Sequence, residues 1–205
     1  MTNTQRISGI SIIRVIAMWS IVIGHICSWK GIYTYQLGAI GVEIFLFISG
    51  YLYGNREIEN RKKWILNRGK RILIPFWIFA AFMVICLAIQ GKWLDSFRQL
   101  FSAAFNFQGL NYLFFASNLQ WNYIEGIGHC WFVTMIMLCY ILTVLLKGSK
   151  TETLIDKNPI KSLLVAVVVQ IVFAMLGVQL SYIFQYFLGY FYHRHEKQFE
   201  EKKQK

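Results

Sequence analysis

The sequence predicts an all-α membrane protein, a polytopic bundle of five to six transmembrane helices. Mean hydropathy is +0.44, and only 15% of the 205 residues are charged, whereas soluble domains carry about 25%. Several uncharged runs are long enough to cross a hydrocarbon core of ~30 Å. Basic residues cluster between these runs, as the positive-inside rule requires. The net charge of +11 therefore reflects topology, and we expect a lipid bilayer rather than nucleic acid as the partner.

Four spans follow from the apolar runs, at residues 7–29, 37–53, 72–89 and 129–146. The run 162–192 would reach ~46 Å as one helix, which exceeds the hydrocarbon core. We therefore expect Gly177 to divide it into a span at 162–177 and a short segment at 181–192. The whole chain, 1–205, is predicted to form one membrane domain that ends in a polar charged tail at 193–205.

The distribution of lysine and arginine predicts the orientation of these spans. Two loops, 56–71 and 147–161, are rich in basic residues and fall on the same side of the membrane when spans three and four form a pair. Basic loops belong in the cytoplasm. The chain is thus expected in the cell membrane, plasma or inner, with a cytoplasmic N-terminus. Residues 31–36 and 90–128 would then lie outside.

Arg14 and His25 are the strongest candidates for a reaction site. A cation inside a span costs at least ~2.5–3.5 kcal/mol on insertion scales, so an intramembrane Arg is a functional candidate by default. Eleven positions separate the two residues, which on a helix means ~20° around the axis and ~16 Å along it. We expect both to face the bundle interior, with imidazole as a base near neutral pH.

Glu43 and Ser49 are the polar residues of interest in the second span. A buried carboxylate needs a partner. From the depth of Glu43 near the outer third, pairing with His25 is favoured over pairing with Arg14. Ser49 precedes Gly50, and Gly54 follows at GxxxG spacing, so a small-residue helix contact is favoured over a nucleophile. Substrate contact by Ser49 stays open.

Basic and aromatic residues near the membrane faces are candidate substrate-binding groups. Three basic residues, Arg68, Lys70 and Arg71, lie where a site that opens to the cytoplasm would bind phosphates. The positive-inside rule alone also explains the positions of these charges. His129 and Trp131 open the fourth span at the outer side, as interfacial anchors or as further site residues. No metal site is predicted, since the remaining candidates are two tail histidines and four cysteines without a C-x-x-C pair: His193, His195, Cys27, Cys86, Cys130 and Cys139.

Taken together, these motifs resemble the acyltransferase-3 family of integral membrane acyltransferases. The family carries an Arg and a His on its first span, separated by ten residues, and four further patterns occur here in the family's order. They are Val42-Glu43 leading to Ser49-Gly50-Tyr51-Leu52, Lys70-Arg71 leading to Pro75-Phe76-Trp77, His129-x-Trp131-Phe132, and Phe187-Leu188-Gly189-Tyr190.

The resemblance implies an enzyme that transfers an acyl group, often acetyl from acetyl-CoA, to a sugar hydroxyl of a glycan or lipid-linked precursor. Acyl-CoA would be a donor substrate, and no tightly bound cofactor is expected. His25, Arg14 and Glu43 are the implied catalytic residues. The family usually has about ten spans, so the resemblance covers its N-terminal part. Many members carry an acid in the turns after the His-x-Trp-Phe motif, where this chain has Thr134, Met135 and Met137 and no acid.

Three functional interpretations stay open at this level. The first is an active O-acyltransferase. The second is a truncated, inactive or regulatory relative, with a partner chain that supplies the missing spans. The third is a transporter or flippase subunit that uses Arg14 and Glu43 as a coupling pair, for which the sequence shows no inverted repeat.

The orientation leads to a first test. A reporter that is active only in the cytoplasm should give a signal when fused after Lys63 or Lys150, because both positions lie in basic loops. The same reporter fused after Gln108 should be silent. Fusion protein levels measured by immunoblot provide the control, and the reversed pattern of activity would refute the orientation.

Overall fold

The computed structural model describes the backbone of residues 3–32, 35–92, 97–114 and 124–203, and the side chains of 9–32, 36–92, 97–111, 113–114 and 124–196. Parts of the predicted outer loops, 33–34, 93–96 and 115–123, lie outside the described residues. All regular structure in the described part is helical. The helices are α1 (Asn3–Trp29), α2 (Tyr35–Gly54), α3 (Arg61–Ile89), α4 (Phe97–Phe105), α5 (Leu110–Leu113), α6 (Trp131–Leu146), α7 (Lys150–Lys157), α8 (Pro159–Met175) and α9 (Ser181–Lys203), with a 3₁₀ turn at Gly128–Cys130 before α6.

The helical membrane bundle predicted from hydropathy is confirmed. Four helical segments in the described residues are long and apolar enough to cross a membrane: Gly9–Trp29, Gln36–Gly54, Arg61–Ile89 and Gly128–Leu146. The pair α7 and α8 makes a fifth when it is counted as one broken span, with a bend of 114°. The described residues therefore hold four candidate spans, or five with the broken pair, against the five to six predicted from the sequence.

Local sequence signals explain where the helices begin and end. α3 starts after Asn60, whose side chain accepts a hydrogen bond of 2.9 Å from the backbone N–H of Lys63, a standard N-cap. α8 starts with Pro159, which is favourable in the first helical turn. The predicted break in the last apolar run is confirmed, since α8 ends at Met175 and Gly177 has φ +79°, a conformation that favours glycine.

The described chain divides into two compact units, residues 1–56 with 182–205 and residues 57–181. In the first unit, α1 and α2 pack antiparallel through small residues. A Cβ at Gly24 would lie 2.7 Å from the backbone nitrogen of Gly38, and a Cβ at Gly41 would lie 2.6 Å from the carbonyl oxygen of Ala17. These contacts define the register of the two helices.

Helix α9 packs on the other side of α2, also through glycine. A Cβ at Gly50 would meet the carbonyl oxygen of Tyr186, and one at Gly54 would meet that of Tyr190. Both numbers rise together, so α2 and α9 run parallel. Gly189 contributes from α9, because its Cβ would meet the carbonyl oxygen of Phe47.

Residues 193–203, most of the segment expected to be a polar charged tail, continue helix α9. The Tyr51 hydroxyl donates to the Glu196 carboxylate at 3.1 and 3.2 Å, and the His193 ring stacks on Tyr51 with centroids 4.2 Å apart. Arg194 donates to the carbonyl of Gly54 at 3.3 Å, and His195 is only 3% exposed. The C-terminal carbonyls of α2 need such donors, and this is why the polar residues 193–196 are helical and partly buried.

The second unit has an apolar core between α3, α4 and the segment before α6. Its buried residues are Phe76, Ala80, Leu87, Ala103, Ile124 and Ile127. At the opposite end, Arg61 donates to the carbonyl of Lys147 at 2.6 Å and joins the start of α3 to the end of α6.

The α2–α9 contact predicts a stability difference between two glycine substitutions. Gly50→Ala should lower the stability of the purified protein by roughly 1–3 kcal/mol, because the new methyl group collides with backbone that cannot move aside cheaply. Thermal unfolding in detergent, followed by thiol-reactive dye binding, measures this. Gly9→Ala is the matched control, since a Cβ there meets nothing within 4 Å. Equal melting temperatures for the two variants would contradict the close approach of α2 and α9.

Candidate functional site

Arg14 and His25 lie on the same side of α1, as their spacing predicts. Both side chains are exposed, beside the stripe of Ala17 and Gly24 that packs against α2. The expectation that they face the bundle interior is therefore not met. The Arg14 guanidinium lies 5.5 Å from the ring centroid of Phe45 on α2, a cation–π contact worth ~0.5–1 kcal/mol at an exposed site.

The register of α1 against α2 corrects the pairing expected for Glu43. Because Gly41 meets Ala17 and the helices run antiparallel, Glu43 lies near the level of Arg14. Along the axis it is ~4.5 Å from Arg14 and ~12 Å from His25, at ~1.5 Å per residue. The depth argument that favoured His25 was wrong because it placed α2 by hydropathy alone. Within the described residues, neither Glu43 nor Arg14 forms an ion pair.

Ser49 is buried and serves its own helix. Its hydroxyl donates to the carbonyl of Phe45 at 2.7 Å, and its exposed fraction is 6%. A serine that bonds the carbonyl four residues back in a helix is a common structural arrangement. The neighbouring Gly50 packs against α9, so the small-residue contact predicted from the sequence is confirmed.

The basic residues of α3 divide between two directions. Arg68 is half-buried with its guanidinium 5.7 Å from the ring centroid of Trp64, whereas Lys70 and Arg71 are exposed. Lys70 also lines a shallow cavity of about 320 Å³ along the first turns of the helix. Sequence grouping missed this surface, which is lined by Asn60, Lys62, Lys63, Leu66, Asn67 and Lys70.

His129 and Trp131 occupy the start of α6 in the same unit. His129 is exposed in the 3₁₀ turn, and its ring meets Phe79 of α3 edge-on at 5.7 Å between centroids. Trp131 begins α6, and its backbone carbonyl lies against Gly109, where an added Cβ would collide with it. One turn further along, Thr134 is buried.

A buried polar cluster surrounds Thr134, and sequence reasoning missed it. The Thr134 hydroxyl donates to the carbonyl of Asn106 at 2.7 Å and accepts from the backbone N–H of Gly109 at 3.0 Å. Gln108 donates to the Asn106 side chain at 3.0 Å. Asn106 itself has φ +57°, uncommon for a residue other than glycine. In the sequence, this cluster is marked by amide side chains set among phenylalanines between Phe97 and Gln108.

Metal binding finds no support in the described side chains, which hold no group of three histidine, cysteine or acidic residues that could coordinate an ion. His193 and His195 direct their Nδ1 atoms to backbone carbonyls, of Tyr51 at 2.6 Å and of Phe191 at 3.0 Å. All four cysteines are free thiols.

The candidate residues fall into two groups by unit. Arg14, His25, Glu43 and Ser49 belong to the first unit, and Arg68, Lys70, Arg71, His129 and Trp131 to the second. A family model described as an acyltransferase domain, of the acyltransferase-3 type, matches residues 7–205. Comparisons with curated proteins and with solved structures find no match.

The corrected register can be tested by cross-linking. In a variant without the four native cysteines, Arg14→Cys with Phe45→Cys should form a disulfide on mild oxidation, because the two positions are in contact. His25→Cys with Phe45→Cys should not, since position 25 lies ~16 Å further along α1. A mobility shift on non-reducing gels reports the product, with reducing agent as control. Efficient cross-linking of the 25–45 pair alone would refute the register.

Proposed function

Because this chain belongs to the acyltransferase-3 family of membrane proteins, we propose that it transfers an acyl group, acetyl foremost, from acyl-CoA to a hydroxyl of a cell-envelope glycan or its precursor. The family membership carries the general activity of a membrane acyltransferase. The observation that supports this specific chemistry is the placement of Arg14 and His25 on one side of α1. Transfer to a hydroxyl needs a base and a cation, and these two side chains offer both.

In the proposed reaction, the acceptor hydroxyl oxygen attacks the thioester carbonyl carbon of acyl-CoA while His25 takes the hydroxyl proton. A tetrahedral oxyanion forms and then collapses, so that the carbon–sulfur bond breaks and the new ester remains. The CoA thiolate leaves and receives the proton back from His25. General base catalysis of this kind typically contributes ~10²–10⁴-fold.

Arg14 is proposed to supply the fixed positive charge. Its guanidinium is held beside Phe45, ~16 Å along α1 from His25. Its planar fork of donors is therefore proposed to bind an anionic group of a bound substrate, which it suits better than a lysine ammonium does, and not the oxyanion beside His25. Glu43 lies near the level of Arg14 in the register described above. We propose that it positions the guanidinium through water or on substrate binding, and does not orient His25.

The basic first turns of α3 are proposed to hold the phosphates of the CoA donor. The shallow cavity there presents Lys62, Lys63 and Lys70 together with two asparagine side chains. Arg68 and Arg71 extend the positive charge along the same helix. In the predicted orientation, with a cytoplasmic N-terminus, these residues face the cytoplasm, which is the compartment that contains acyl-CoA.

A second candidate function is that of an inactive or regulatory family member. The observation that favours it is the lack of an acid in the turns after His129-x-Trp131-Phe132, where this chain has Met135, Met137 and Thr134. Its hydroxyl is already engaged by Asn106 and Gly109. A partner chain that supplies further spans would accompany this role.

The catalytic assignment is tested by acyl transfer in membranes that contain the overexpressed protein, with labelled acetyl-CoA and an envelope glycan fraction. His25→Ala should reduce transfer by ~10²–10⁴-fold through loss of the base. Arg14→Lys should also fail if forked hydrogen bonds are needed. Glu43→Gln should have a milder effect, because it acts through Arg14.

Val22→Ala is the matched control for these variants, since Val22 is also exposed on α1 and carries no chemistry. Transfer by His25→Ala at the wild-type rate would exclude His25 as the base. A wild-type protein that is inactive alone, and active only when a ten-span relative or a partner chain is co-expressed, would favour the second candidate function.

A further inference from the structure

Helix α4 has its polar and apolar faces reversed relative to a helix in water. Its large apolar residues point outward, with exposed fractions of 78% for Phe97, 43% for Leu100 and 60% for Phe105. Its polar residues Gln99 and Ser102 point inward, at 7% and 0%. Such a helix suits an apolar exterior and encloses a polar interior.

Two side-chain atoms in this interior have no hydrogen-bond partner. They are Oγ of Ser102 and Oε1 of Gln108, on residues that are 0% and 1% exposed. A buried polar atom without a partner costs ~1–3 kcal/mol, so each such atom calls for an explanation. A hydroxyl on the protein can donate and an amide oxygen can accept, which together match the two capacities of a ligand hydroxyl.

Ser102 differs in this respect from three other helical hydroxyls in the described residues. Ser20, Ser49 and Thr143 each donate to the carbonyl four residues earlier, at 3.1, 2.7 and 2.8 Å. Ser102 also lies in a helix and has such a carbonyl in reach, at Arg98, yet its hydroxyl is unpaired. The hydroxyl therefore stays available for something that enters the interior.

The polar interior adjoins the start of α6. Gly109 lies against both the Trp131 carbonyl and Thr134, and His129 is exposed one turn before Thr134. The exposed His129 therefore precedes, along the chain, the Thr134 end of a buried polar floor. The inward side chains on this floor are all neutral: Gln99, Ser102, Asn106, Gln108 and Thr134. A neutral, amide-rich surface suits uncharged hydroxyls better than carboxylates or phosphates.

We infer that Ser102 and Gln108, with the Asn106–Gly109 turn and Thr134, form a subsite that binds a hydroxyl of a neutral carbohydrate. The inference rests on the proposed function and names the acceptor class, an uncharged sugar. The orphaned atoms are the specific contacts. The bonded groups, Asn106, Gly109 and Thr134, hold the turn in its strained conformation.

An ordered water molecule can also accept from Ser102 and donate to Gln108. The test must therefore distinguish a bound water from a bound sugar hydroxyl. If water permanently satisfies these atoms, replacing them with apolar groups removes bonds and destabilises the protein. If the atoms await a ligand, apolar groups of similar size relieve an unpaired polar burial. The unliganded variant then melts at the same or a higher temperature, while its ligand affinity falls.

The experiment uses the purified full chain in detergent and a fluorescently labelled pool of neutral tetrasaccharides prepared from envelope polysaccharide. Binding is measured by fluorescence anisotropy and stability by thermal unfolding, both without acyl-CoA. Ser102→Ala and Gln108→Leu should each weaken binding about five- to tenfold. Ser102→Ala should do so with no loss of melting temperature, whereas Gln108→Leu also removes the hydrogen bond to Asn106 and is judged by affinity. Thr143→Val removes a buried hydroxyl that is already bonded within α6, and should leave affinity unchanged.

Two results would overturn the inference. The first is unchanged affinity in Gln108→Leu and Ser102→Ala with a lower melting temperature in Ser102→Ala, which indicates structural water. The second is wild-type binding to the pool that is absent, or no stronger than to a permethylated pool without hydroxyls. Because binding is measured without a donor, a chain that binds the sugars through Gln108 and transfers no acetyl group would refute the proposed function and leave this subsite intact.

Discussion

Close backbone contact at glycine is the constraint on which the first unit depends. In lipid there is little hydrophobic drive to bring apolar helices together, so packing at small residues decides which helices meet and in which register. Gly24, Gly38 and Gly41 bring α1 against α2, and Gly50 and Gly189 bring α2 against α9. A side chain at Gly24, Gly41, Gly50 or Gly189 would collide with backbone or with a neighbouring side chain and shift the register.

This register decides what the chemical groups can do. A shift of α1 by two turns would move His25 to the level of Glu43 and carry Arg14 away from Phe45. The glycine contacts exclude that arrangement and leave a fixed cation near a carboxylate at one depth. The imidazole of His25 then lies at a second depth, ~12–16 Å away along the helix. The register thus places Glu43 nearer to Arg14 than to His25.

The sequence was informative where composition decides structure, and uninformative where geometry does. Hydropathy located the four long apolar helices, and Gly177 marked the break before α9. The level of Glu43 could not be predicted, because register depends on which glycines meet. The helical course of His193 to Glu196 was also missed, since their bonds to the end of α2 join residues more than 130 positions apart. The buried face of α4 escaped for a different reason. Polar residues normally indicate exposure, and an apolar surrounding reverses that rule.

The contrast between satisfied and unsatisfied polar groups is the most direct guide to function in this chain. At the end of α2, side chains of α9 donate to backbone carbonyls or, in the case of Glu196, accept from Tyr51, and the result is a tightly joined pair of helices. In the second unit, Thr134 and Asn106 hold a strained turn, while Oγ of Ser102 and Oε1 of Gln108 have no hydrogen-bond partner. Leaving two buried atoms unpaired lowers the stability of the unliganded protein and stabilises no other part of it. A chain retains such a cost when a ligand compensates for it, and an acceptor hydroxyl has the required donor and acceptor in one group.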